Sequence, residues 1–109
     1  MSEAHVARGA DGELMLSGVL DYLTGPALRR AGQALIRAEE KDEPLRIDLS
    51  AVERSSSVGL SLLLAFIRDA RAVGREVIIT AMPDDMQQIV RVSGLQDVLP
   101  LADSSAGAV

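Results

Sequence analysis

Three consecutive hydroxyls, Ser55-Ser56-Ser57, stand directly before Val58-Gly59-Leu60 and a long apolar run. A serine oxygen at such a place can accept from the free N–H groups of a first helical turn. It also lies at the positive end of the helix dipole. Two further uses are open to a hydroxyl there. A phosphate would bring roughly -1.5 to -2 charges to the helix start and would either create a contact or break one. An unmodified hydroxyl can serve as a small, close-packing contact for a partner. Other reactive types are sparse. His5 is the single histidine. It sits near the N-terminus with no acid or nucleophile beside it, and a Ser-His-Asp mechanism would require it to reach the serine run. Asp11, Glu13, Asp21, Glu53, Asp84 and Asp85 are dispersed without metal-ligand spacing. There is no GxxxxGK[ST] and no GxGxxG. A self-contained enzyme is not expected, nor is a cofactor.

The elements that must present the serines are legible. Leu45, Ile47 and Leu49 alternate with Arg46, Asp48 and Ser50, the period of a half-buried strand. Val58, Leu60, Leu62, Leu63, Leu64, Phe66, Ile67 and Ala70 cover most of a helical cylinder, and polarity returns only at Arg68, Asp69 and Arg71. A helix this apolar must bury its first turns, so strand and helix anchor the serines between them.

Ahead of this unit, Ala4 to Arg8 is a short strand and Asp11-Gly12 signals a type I′ hairpin turn. Glu13 to Leu20 returns, with Leu14, Leu16 and Val19 toward the core and Gly18 as a bulge. After a loop at Asp21 to Leu23, a helix is expected over Pro26 to Glu40, with Thr24 or Gly25 as its cap and Pro26 in its first turn. Its core face carries Leu28, Ala31, Leu35, Ile36 and Ala38. Lys41 to Pro44 turns back. Beyond the central unit, Gly74 ends the second helix, and EVIITAM from Glu76 reads as a buried strand that Pro83 stops. Asp84 is expected to cap a third helix to about Ser93. Asp85 adds favourable charge near its start, and Met86, Ile89, Val90 and Val92 face inward. Leu95 to Leu101 is expected to form a turn and an edge strand. The order β-β-α-β-α-β-α-(β) implies an α/β fold, a mixed and mostly parallel sheet with helices packed on it. One domain over residues 1–102 is expected, with a disordered tail over residues 103–109.

Composition narrows the function. A net charge of -5 and 2% aromatic residues argue against nucleic acid, which demands basic patches and stacking surfaces. The polar N-terminus lacks a signal-peptide core, and no apolar run approaches bilayer length, so no direct membrane insertion is expected. With no cysteine there is no thiol chemistry or disulfide framework.

The segments LRIDLSAVERSSSVGLSLLLAFIRDARAVGREVIITA and MQQIVRVSGLQDVLP resemble STAS domains, the fold of anti-sigma factor antagonists and of related transporter domains. The likeness runs from Glu13 to Leu101. In the family motif an acid and a regulated Ser/Thr precede Gly-Leu. Aligned on Gly59 and Leu60, the regulated serine falls on Ser57, the acid falls on Ser56, and Val58 precedes the glycine. The missing acid argues against kinase recognition of Ser57. GELMLSGVLD, SVGLSLLLAFIRDA and SGLQDVLP are most similar to the small STAS subunits of Mla-type phospholipid-transport ABC systems of Gram-negative bacteria.

That resemblance implies a non-catalytic cytoplasmic subunit, held at the inner membrane through the transporter. It would bind the ABC ATPase, two copies per ATPase dimer within a larger complex, and support phospholipid transport and outer-membrane lipid asymmetry. ATP chemistry would lie in the partner. Ser55, Ser56, Ser57, Val58, Gly59 and Ser61 would press against that ATPase. Tyr22, Leu23, Thr24 and Arg29 would lie beside them, because both loops leave the same end of the sheet. The alternative is an anti-sigma factor antagonist whose Ser57 is phosphorylated by a partner kinase. A third use, binding a small nucleotide or lipid, has little support in so acidic and aromatic-poor a chain.

Overall fold

A computed structural model describes residues 3–38 and 43–100. The chain opens with a hairpin. Strand β1 (Ala4–Arg8) runs antiparallel to β2 (Leu14–Leu20), with Val6 opposite Leu16. The connection differs from the type I′ turn expected at Asp11-Gly12. Gly12 N–H donates to Gly9 O at 3.0 Å, Gly9 N–H donates to Glu13 O at 2.7 Å, and Gly12 alone of the turn takes a positive φ, 85°. This is a type I turn closed by a left-handed glycine. Asp11 keeps an ordinary φ, and its N–H donates to the Glu13 carboxylate at 3.0 Å.

Helix α1 (Gly25–Ala38) then leads to β3 (Leu45–Ser55), α2 (Ser57–Ala72) leads to β4 (Val77–Thr80), and α3 (Asp84–Val92) follows. The sheet order is β1-β2-β3-β4, with β2, β3 and β4 parallel. Each crossover advances one strand in the same direction, so crossovers of one hand set the helices on one face. Burial follows from that layering. Leu14, Leu16 and Leu20 of β2 are buried, while Val19 faces the other way. In β4, Val77 and Ile79 are buried but Ile78 is 39% exposed. The strand expected to be buried is thus buried on one face alone, because helices cover only one side.

Strand β3 is longer than its alternating start suggests. Asp48 pairs with Met15 but Ala51 pairs with Ser17, and Val52 pairs with Gly18 but Arg54 pairs with Val19. Each shift inserts one extra residue on β3, a bulge that bends the strand and switches its phase. Alternation therefore breaks after Leu49, and Val52 and then Ser55 turn inward. Two phase changes hide the second half of a strand from any period-2 reading.

Helix α2 is the centre of the core. Leu60, Leu62, Leu63, Phe66, Ile67 and Ala70 are all buried. Helix α1 buries Gly25, Leu28, Gly32 and Ile36. Ala31 and Ala38, expected on that face, are exposed, and Leu35 is half-buried. Gly32 takes their place because a Cβ there would come within 2.5 Å of the Phe66 ring. The chain enters α1 through a turn held by Asp21, not through a cap at Thr24 or Gly25. The Asp21 carboxylate accepts from Leu23 N–H at 2.9 Å and Thr24 N–H at 3.1 Å. Helix α2 closes as expected at Gly74, with Gly74 N–H donating to Arg71 O and Arg75 N–H to Ala70 O.

Helix α3 follows Pro83, which has the extended backbone of an N-cap but no polar side-chain atom to cap with. Asp84, expected as that cap, lies inside the first turn. Met86 and Val90 are buried, but Val92 is 89% exposed, because the helix ends as it leaves the core. Residues 95–99 form a turn, and Ile79 N–H donates to Pro100 O at 2.9 Å, so among the described residues the expected edge strand amounts to a single bond. Leu101, the tail, and the expected end of α1 at Glu40 lie outside the described residues.

Candidate protein-docking surface at the helix starts

The three serines occupy three different environments. Ser55 is buried, 8% exposed, and its hydroxyl donates to Ser56 O at 2.8 Å. Ser56 is the N-cap of α2. Its Oγ accepts from Val58 N–H at 3.1 Å, and its own N–H donates to Leu20 O at 2.9 Å. Ser57 is the first helical residue and is exposed. Gly59 is buried because its neighbours demand it: a Cβ there would overlap Ser55 Oγ and lie 2.9 Å from Met86 Cε. Of the expected contact residues, Ser55 and Gly59 are thus turned inward. Their part is to set the backbone from which Ser57 projects.

Beside Ser57 the starts of α1 and α2 form a groove of about 440 Å³, lined by Tyr22, Gly25, Pro26, Arg29, Val58, Ser61, Leu62 and Ala65. Four of the expected contact residues, Tyr22, Arg29, Val58 and Ser61, come together here. Tyr22 is 75% exposed and the adjacent Leu23 63% exposed, on a loop that is otherwise fastened. Thr24 Oγ accepts from Asp21 N–H at 3.0 Å and donates to Val19 O at 2.9 Å. Two large apolar side chains are thus held in water on a fastened loop, whose backbone needs little further ordering.

Arg29 is only partly available. Its guanidinium forms a two-pronged ion pair with Asp69, which is 6% exposed, and Gln33 Nε2 donates to the same carboxylate at 3.2 Å. Sequence reading missed Gly25, Pro26, Leu62 and Ala65 as lining residues. Helical spacing holds the signal, because Pro26 precedes Arg29 by three, and Leu62 and Ala65 follow Val58 and Ser61 by four.

His5 lies on β1 and lines a separate cleft of about 430 Å³ with Leu23, Thr24 and Ala27, which none of the three serines borders. Among the described residues no group of three His, Cys, Asp or Glu could hold a metal ion, and no helix is long and apolar enough to cross a membrane.

Comparison with solved structures places the same architecture in proteins of two kinds. An anti-sigma factor antagonist from Mycobacterium paratuberculosis is 29% identical, with a TM-score of 0.72 over 100% of this chain and 94% of that one. A chain of the Acinetobacter MlaFEDB complex, in an ATP-bound conformation, is 26% identical, with a TM-score of 0.75 over 89% of this chain and 100% of that one. The anti-sigma factor antagonist SpoIIAA in its unphosphorylated form shares the fold at 17% identity, with a TM-score of 0.68 over 98% of this chain and 99% of that one. Residues 4–101 match the family described as Mlab, STAS domain, and the chain belongs to this STAS domain family.

Proposed function

We propose that this chain is a non-catalytic docking subunit that binds the ATPase of an Mla-type ABC transporter and supports its assembly or activity in phospholipid transport. In this reading it works in the cytoplasm, at the inner membrane, and contributes to outer-membrane lipid asymmetry. The observation that carries it is the exposed surface at the helix starts. Tyr22 and Pro26, at the start of α1, and Val58 and Ser61, in the first turns of α2, line a single groove, and exposed Ser57 directly precedes Val58. That composition, an apolar centre with a small polar rim, is what protein partners bind. The likeness to a chain of the MlaFEDB complex supports an ATPase of that class as the partner.

The test is co-purification with the ABC ATPase of the same cell, tagged on the ATPase. Wild type is expected to co-elute, Ser57→Ala to bind within about tenfold of it, and Ser57→Glu to lose binding by more than tenfold. An acid at the first position of a helix is favourable to the helix itself, so Ser57→Glu should keep a native circular-dichroism spectrum. Failure of the wild type to co-elute sinks the transporter reading.

One observation favours a second reading. Ser57 is exposed at a helix N-terminus, and a similar structure is an anti-sigma factor antagonist. A kinase partner that phosphorylates Ser57 would then replace the ATPase. Mass spectrometry of the chain from its native cell decides this, since the switch requires a phosphorylated Ser57 population.

A further inference from the structure

The docking surface rests on a residue outside it. Ser57 has ordered neighbours on its N-terminal side only because Ser55 and Ser56 are fastened. Ser56 is tied to β2 through Leu20 O. Ser55 is tied from the opposite direction: its N–H donates to Asp85 Oδ2 at 3.0 Å. Asp85 is the second residue of α3, thirty positions along the chain, and its other oxygen accepts from Met86 N–H at 2.7 Å. The same corner is closed by packing, since Met86 is fully buried and lies against Gly59. A helix start needs no aspartate to bridge to another element, because Asp84 beside it already supplies the favourable charge. The bridging carboxylate therefore has a separate consequence. It fixes the last residue of a twice-bulged strand, the least regular piece of backbone under the docking surface.

We infer that Asp85 is a positioning residue for partner docking: by clamping Ser55 N–H it holds the Ser56 cap and presents Ser57 in a binding-ready geometry. This rests on the docking function proposed above. Helix α3 is then the back-stop of the surface as well as part of the core. Without the carboxylate, the Ser55 N–H loses its acceptor at a part-buried site, and the β3–α2 corner samples other geometries before a partner can bind.

The experiment compares wild type, Asp85→Ala and Asp85→Asn in two readouts. One is hydrogen exchange at the Ser55 amide, followed by NMR on the full chain. The other is affinity for the ABC ATPase. Asp85→Ala is expected to speed Ser55 exchange and weaken ATPase binding by about 3- to 30-fold. Asp85→Asn keeps one of the two acceptor oxygens, so it is expected to fall between wild type and Asp85→Ala in both readouts, and an unchanged circular-dichroism spectrum of each variant controls for loss of fold. In a Ser57→Ala background the Asp85→Ala effect on affinity should shrink, because both act through one loop. Unchanged Ser55 exchange in Asp85→Ala overturns the clamp, whatever the affinity does. Faster exchange with unchanged affinity overturns its role in docking. A wild-type chain that does not bind the ATPase defeats the docking function and Asp85's part in it, while the exchange result still decides the clamp on its own.

Discussion

At the scale of the residue, the serine run shows how identical side chains acquire different work. Ser55 is packed under the surface, Ser56 caps α2, and Ser57 faces water. The resemblance sets the family's acid at Ser56, and serine serves there as the N-cap of α2, a place where serine and aspartate are comparable. Ser56→Ala should therefore lower stability by about 1 kcal/mol in urea unfolding, and Ser56→Asp should be close to neutral. A neutral Ser56→Ala would mean that the Val58 N–H is as well served by water. That the run caps a helix could be read from residue type alone. Which serine does so could not, because two bulges upstream decide which way each one points.

At the scale of the element, the pairing of α1 with α2 sets the width of the groove. Gly32 lets α1 approach the buried Phe66 ring, and Arg29 reaches across to Asp69. The pattern Arg68-Asp69-Arg71 reads as the polar end of a helix, and for the two arginines it is: both are exposed. Asp69 is buried only because α1 lies over it. Burying a carboxylate costs several kcal/mol unless a partner meets it, and removing the partner is worse than removing the pair. Arg29→Leu should thus destabilise by about 1–3 kcal/mol, the lower part of the range for buried pairs because Arg29 is itself 32% exposed. Arg29→Leu combined with Asp69→Leu should recover most of that loss. Urea unfolding of the two single variants and the double variant measures it; a double variant as unstable as the sum of the singles would contradict the account.

At the scale of the whole molecule, an acidic chain carries a mostly apolar groove at the starts of α1 and α2. The net charge is -5, yet the one arginine lining the groove is already matched by Asp69. Docking should then depend weakly on salt, changing less than about tenfold between low and moderate ionic strength, because apolar burial is not screened. A steep fall in affinity with salt, measured by titration against the ATPase, would move the interface to a charged face. The sequence by itself determined the order of elements and the α/β class of the fold. Each of these follows from local periodicity, turn chemistry and chain direction, which neighbouring residues encode. Only the tertiary structure decided that β3 runs on to Ser55, that Asp69 is buried against Arg29, that Val92 is left in water, and that Asp85 bonds to Ser55. Those facts depend on register shifts and on contacts between residues tens of positions apart, and no local pattern carries a distance that only packing can close.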